Sequence, residues 1–212
     1  MGNELSIREF LRSRGALLVH FSTIMARRLE LVFPNDLLNA MKLRGAPLSF
    51  STIEIGDTNP HVGKGGAEGS IGLLVDLEPE SRVISVSPGD SGSSYDEKTG
   101  ESGSLGLPAT PENCADSVDN RKPSNEWIVR DYAPAGIYIL PPIIVRQLGE
   151  LNGEAVSGEG ELNLAQAITP FPDQSIYSAN EDSFLRFDRA TGKWKPVRYD
   201  DIIPPNPVEP KE

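Results

Sequence analysis

Ser70-Ile71-Gly72-Leu73-Leu74-Val75-Asp76-Leu77-Glu78-Pro79-Glu80-Ser81-Arg82-Val83-Ile84-Ser85-Val86-Ser87 is the stretch that sets the fold class. Two runs rich in aliphatic and β-branched residues, 70–77 and 82–87, flank a polar tetrapeptide containing Pro, a pattern that predicts a hairpin. Working outward, apolar strands are expected at 16–21 and 48–55 upstream. Two more are expected downstream, Trp127–Tyr132 and Gly136–Leu140, set off by Pro123 and by Pro141-Pro142. Phe184 through Val197 reads as a late hairpin turning at Ala190-Thr191-Gly192.

Helical signals are few and short. Ser6-Ile7-Arg8-Glu9 is a capping box, Leu5 and Phe10 stand at the offsets of a hydrophobic staple, and Gly15 closes the helix. A second helix is expected from Asn35 or Asp36 to Gly45, with a third at 111–118 and a fourth at 143–151. Residues 152–182 read as polar and irregular, and 88–124 as a long loop rich in Gly, Ser, Pro, Asp and Asn. Because helices do not separate the strands regularly, the reading is α+β. It gives a single domain over 1–202 on a mostly antiparallel, twisted or split sheet, followed by a Pro-rich extended tail at 203–212.

The chain has 212 residues, 31 acidic against 20 basic, and a formal net charge of −11. Such a chain repels a phosphate backbone, which makes DNA a poor partner. The N-terminal 30 residues hold five Arg against three Glu, a mild local reversal. Cys114 is the single cysteine, so no intrachain disulfide forms, and its polar surroundings offer no basic neighbour to activate the thiol. No apolar run approaches the ~18 residues of a membrane span, and the N-terminus lacks the pattern of a signal peptide. A soluble, cytoplasmic protein that engages no membrane is expected.

The most conspicuous motif is Gly89-Asp90-Ser91-Gly92-Ser93, the sequence found around the nucleophile of chymotrypsin-like proteases. His20, Asp57 and Ser91 even occur in that family's order. The 70 residues between His20 and Ser91 are too few for two β-barrels, and the motif runs on into polar sequence instead of an apolar strand. Turn chemistry leaving a strand explains it better, with a serine hydrolase using Ser91 kept as an alternative. Gly63-Lys64-Gly65-Gly66-Ala67-Glu68-Gly69 fits neither phosphate-loop spacing and precedes a strand. It reads as a flexible loop, and His61 beside it carries no assigned role.

A quieter pattern sits on three strands. His20 and Ser22 share a face of 16–22, Ser49 and Ser51 share a face of 48–55, and Glu126 stands on 127–132's leading edge in Ser124-Asn125-Glu126-Trp127-Ile128-Val129. In apolar strands such groups are costly unless satisfied. Hydrogen bonding to a backbone carbonyl for His20, solvent for the serines and an ion pair with Arg130 for Glu126 would satisfy them without any function.

The same pattern resembles the ADP-ribosyltransferase family, including its DarT-like toxin branch, over about residues 16–140. There an early strand carries His or Arg, a middle strand begins aromatic-Ser-Thr-Ser, and a late strand carries Glu. Phe50-Ser51-Thr52 matches the first three positions of the middle motif, and Ile53 replaces its last Ser. Asn125-Glu126-Trp127-Ile128-Val129 looks like the Glu-bearing strand, with Ser124 where the family often has Gln or Glu. The resemblance implies NAD as substrate and Glu126 as the catalytic carboxylate. It implies a NAD-binding set of His20, Ser22, Ser49, Ser51 and Thr52, with Ser51 and Thr52 bracing Glu126. It also implies a toxin or defence effector of the bacterial cytoplasm. The acceptor stays open among protein, RNA and small molecule. The competing reading is a non-catalytic acidic protein whose surface and tail bind a basic protein partner.

Overall fold

The computed structural model describes residues 6–27, 30–32, 45–56, 68–89, 95–96, 101–102, 106–120, 125–151, 154–163, 166, 174–179 and 182–205. In chain order its elements begin with α1 (Ile7–Ser13), β1 (Ala16–Arg27), β2 (Glu30–Val32), β3 (Leu48–Glu54), β4 (Glu68–Asp76) and β5 (Arg82–Ser87). The short pairs β6 (Tyr95–Asp96), β7 (Glu101–Ser102) and β8 (Leu107–Pro108) follow, then α2 (Pro111–Asp119) and β9 (Glu126–Arg130). β10 (Ala133–Ile139), β11 (Ile143–Leu151), β12 (Glu154–Leu162), β13 (Ile176–Ser178), β14 (Ser183–Asp188), β15 (Lys193–Val197) and a 3-10 turn (Tyr199–Asp201) complete the order. The described residues therefore form mostly antiparallel sheet with two short helices, an α+β composition. None of their helices is long and apolar enough to cross a membrane.

The chain divides into two compact units interleaved in sequence. The first comprises Met1–His20, Leu43–Ile55 and Val75–Ala133, and the second Phe21–Lys42, Gly56–Leu74 and Pro134–Glu212. Within the first, the strands lie in the order β1-β3-β9-β5-β8. β1 and β3 are antiparallel from Ala16↔Glu54 to Val19↔Ser51, and β3 and β9 from Leu48↔Val129 to Phe50↔Trp127. β5 runs antiparallel to β9 from Arg82↔Arg130 to Ser87↔Glu126, with a register shift between Val83 and Ser85.

Local sequence builds the helices as expected. The Ser6 hydroxyl accepts from the Glu9 N–H at 3.2 Å while the Glu9 carboxylate accepts from the Ser6 N–H at 3.0 Å. Gly15 leaves the helix with φ +60°. Thr110 caps α2 by accepting from Asn113 N–H at 3.2 Å, and Pro111 takes a first-turn position where its missing N–H costs nothing. Leu11 on α1 and Cys114, Ser117 and Val118 on α2 are buried. Arg8 Nε donates to Asp76 Oδ1 at 2.9 Å, and Arg14 pairs with Asp119, fastening the start of α1 to β4 and its end to α2.

In the second unit, β10 pairs in parallel with β13, which continues antiparallel through β14 to β15. Five rings run through this core: Phe21, Tyr138, Tyr177, Phe184 and Tyr199, with successive centroids 5.3, 6.2, 4.6 and 5.7 Å apart. The expected late hairpin is β14–β15, and Gly192 takes the left-handed conformation that its turn requires.

Two expectations about the fold are corrected. Runs 70–77 and 82–87 form strands, but β5 pairs with β9 and β8, not with β4. Residues 70–75 of β4 are buried at every position, so this run lacks the solvent face of a two-stranded hairpin. The helix expected at 143–151 is strand β11, paired along its whole length with β12 from Ile143↔Leu162 to Leu151↔Glu154. Ile143-Ile144-Val145 favours a strand, and Asn152-Gly153 is the sequence signature of a two-residue hairpin turn. Ile203, the first residue of the expected tail, is buried, and 206–212 lie outside the described residues. The helix expected at 35–45 lies almost wholly outside the described residues.

Candidate functional site

The register places the three strands that carry the polar pattern side by side, β1 next to β3 and β3 next to β9. Directly opposed residues on antiparallel strands share a face, so Ser49, Ser51, Ile128 and Glu126 face one way and Phe50, Thr52 and Trp127 the other. Ser87, opposite Glu126, and Ser85, opposite Ile128, extend the hydroxyl-rich face onto β5. Glu126 is only 7% exposed, and Ser85 and Ser87 are buried beside it. A buried carboxylate needs donors. Ser49 Oγ supplies one, donating to Glu126 Oε1 at 2.9 Å.

His20 reaches the same residue from the other side. Its Nδ1 lies 2.8 Å from the Ser49 carbonyl oxygen, just beyond the last β1–β3 pair, Val19↔Ser51. A carbonyl oxygen only accepts, so Nδ1 carries the proton and Nε2 of the neutral ring is an acceptor. The imidazole meets Phe50 edge-on at 6.0 Å, and Phe50 in turn meets Tyr132 at 5.0 Å. Burial raises the Tyr132 phenol above its ordinary pKa. His20 and Glu126 thus both bond Ser49, one through its main chain and the other through its side chain, from opposite faces of the sheet, because His20 falls opposite Phe50 in the register.

Ser51 and Thr52 do not touch Glu126 through the bonds that define the site. Ser51 Oγ donates to the Asn125 carbonyl at 2.8 Å, and Thr52 sits on the opposite face, bonded to the Asn125 side chain. The bracing role belongs to Ser49 directly, and Ser51 and Thr52 hold the residue before Glu126. Ser22 is buried within the second unit. Arg130 shares the strand face of Glu126, and its Nε is buried without a hydrogen-bond partner among the described residues. That nitrogen does not hold the Glu126 carboxylate, which accepts from the Ser49 hydroxyl.

Asn125 is a site residue that the sequence pattern did not single out. Its only signal was position, immediately before the Glu. Cys114 is fully buried, and burial pushes its thiol up to about 11, which leaves it without thiolate character at neutral pH. Ser91, Asp57, His61, Ser124 and most of the glycine-rich stretch lie outside the described residues. Among the described residues, no three of His, Cys, Asp and Glu gather as metal ligands. Comparison with protein-family models, with curated proteins and with solved structures finds no match.

Proposed function

We propose that this chain is an NAD-consuming mono-ADP-ribosyltransferase-like protein in which Glu126 is the catalytic carboxylate. The observation that carries the reading is the buried Glu126 carboxylate, 7% exposed and bonded at 2.9 Å by the Ser49 hydroxyl, on a strand face that also carries Ser51, Ser85 and Ser87. NAD supplies a ribose carbon that becomes electrophilic as nicotinamide leaves. The protein must then provide a carboxylate held close to the ribose and acceptors for its hydroxyls. Glu126 offers the carboxylate, oriented by the Ser49 hydroxyl before any substrate arrives, so little reorganisation is needed as positive charge develops. Buried Arg130 Nε is a donor suited to an anionic substrate such as a dinucleotide.

The acceptor remains a protein, RNA or small molecule in this reading, with DNA disfavoured by the net charge of −11. A role as a toxin or defence effector in the bacterial cytoplasm follows from the resemblance alone. The test is nicotinamide release from NAD by wild type, Glu126→Gln and Ser91→Ala. The reading predicts loss with Glu126→Gln and retention with Ser91→Ala. Release that survives Glu126→Gln would remove that carboxylate from the chemistry, and Ser91-dependent hydrolysis of an ester substrate would favour the serine hydrolase. Absence of release together with no rise in melting temperature on adding NAD would leave the acidic partner-binding protein.

A further inference from the structure

Glu126 is flanked in sequence by two side chains that end on the same residue. Asn125 Nδ2 donates to the Ser117 carbonyl at 2.9 Å, and Trp127 Nε1 donates to the Ser117 hydroxyl at 2.6 Å. Alternation along the strand turns Asn125 and Trp127 away from the face of Glu126 and toward α2, which carries Ser117. Asn125 is saturated: its Oδ1 accepts the Thr52 N–H at 2.8 Å, and Nδ2 also donates to Thr52 Oγ1 at 2.6 Å. Its own carbonyl accepts from Ser51 Oγ at 2.8 Å. Ser117 and Trp127 are 0% exposed and Asn125 and Thr52 1%, so these bonds are made away from bulk solvent.

Core packing alone does not require this arrangement. Apolar side chains of similar size would fill the same space without the desolvation cost of an amide, two hydroxyls and an indole N–H. Directional bonds do what apolar packing cannot: they fix the backbone on both sides of Glu126, and with it the direction in which the carboxylate leaves the strand. Ser49 then meets that carboxylate from the other face.

We infer that Ser117 and Asn125 are positioning residues for Glu126, forming a clamp between α2 and β3 that aims a carboxylate neither of them bonds through these contacts. The inference rests on the proposed role of Glu126, and its test separates the two. Ser117→Ala, Ser117→Thr and Asn125→Ala are compared with Leu11→Ala, a buried core truncation on α1. The readouts are kcat and KM for nicotinamide release, melting temperature, and the carboxyl carbon NMR resonance of Glu126 at fixed pH.

Ser117→Ala and Asn125→Ala should lower kcat by between about tenfold and a hundredfold, the scale of a small misplacement of a reacting group. KM should stay within about twofold, and the Glu126 resonance should move. Ser117→Thr, which keeps the hydroxyl, should restore both, while Leu11→Ala should lower the melting temperature and change neither. The inference is overturned if Ser117→Ala and Asn125→Ala behave like Leu11→Ala, with the Glu126 resonance unmoved. If Asn125→Ala does not fold, Trp127→Phe, which deletes only the indole donor, takes its place with the same expected outcome. Should wild type release no nicotinamide and gain no melting temperature from NAD, the transferase reading falls while the carboxyl resonance still decides the positioning role.

Discussion

The two compact units spend their buried positions differently. In the second, buried aliphatic residues such as Ile71, Leu73, Ile137 and Ile176 pack with a run of five rings, Phe21, Tyr138, Tyr177, Phe184 and Tyr199, that gains from area and ring geometry with little need for a single exact partner. Its buried polar residues are serines, Ser22, Ser70, Ser175 and Ser178, and the Tyr177 hydroxyl accepts from Gly56 N–H at 2.8 Å and donates to Asp182 at 3.2 Å. In the first unit, Thr52, Ser117, Asn125 and Glu126 occupy buried positions on and around β3 and β9. Each is bonded to a particular neighbour. Apolar packing is the cheaper way to hold three strands together, so the polar arrangement points to a requirement other than stability.

The comparison can be broken at the aromatic end first, where the largest effect on stability is expected. Phe184→Ala removes the ring between Tyr177 and Tyr199 and should cost about 3–5 kcal/mol by denaturant unfolding, the usual range for truncating a buried aromatic. A loss under about 1 kcal/mol would mean that the ring run is not the core of its unit. Asn125→Ala should cost somewhat less, about 2–4 kcal/mol, because it strands the Thr52 N–H and the Ser117 carbonyl without their partner. A near-neutral result would show that those groups find other partners, and the directional account of this region would fail.

These two regions also differ in how well the sequence announces them. The capping box at Ser6 and Glu9, the Thr110–Pro111 start of α2 and the β14–β15 hairpin were all legible, because each depends on residues a few positions apart. The β4–β5 hairpin was misread for the opposite reason. Both runs look like strands, but which strands they pair with depends on segments elsewhere in the chain, and β5 takes β9 and β8. The β11–β12 hairpin was missed although its turn signal, Asn152-Gly153, is plain in the sequence.

At the site, His20, Ser49 and Glu126 were named from strand alternation and motif order, and the register joins them through Ser49. Asn125 was not named. Nothing about an Asn in a polar tripeptide distinguishes it until folding brings Thr52 and Ser117 to its amide.

Smaller effects sharpen the picture at the edges of the first unit. Arg8→Ala removes a partly buried fork onto Asp76 and should cost about 1 kcal/mol, with the difference from wild type shrinking as salt rises. A salt-independent loss would mean that Arg8 acts through the packing of its methylene stem. Cys114 tests burial near the clamp. Its thiol titrates near 9.0 when unfolded and is raised to about 11 in the fold, so between those values the unfolded chain releases a proton that the folded chain keeps. Stability should therefore fall as pH rises through that window, and Cys114→Ala should remove that part of the slope. Native Cys114 should also resist alkylation at pH 8 and react once the chain is unfolded; rapid native labelling would contradict its burial in α2.

The most direct test of the central claim measures activity and stability together on Glu126→Gln. Gln keeps an oxygen for the Ser49 hydroxyl and removes the charge. If the carboxylate is there for chemistry, nicotinamide release should drop by at least about a hundredfold while unfolding stability stays within about 1 kcal/mol of wild type or rises. If Glu126 is a structural residue, the same substitution should leave any NAD turnover intact and lower stability by several kcal/mol, roughly the cost of disrupting a buried polar network. That result would contradict the account.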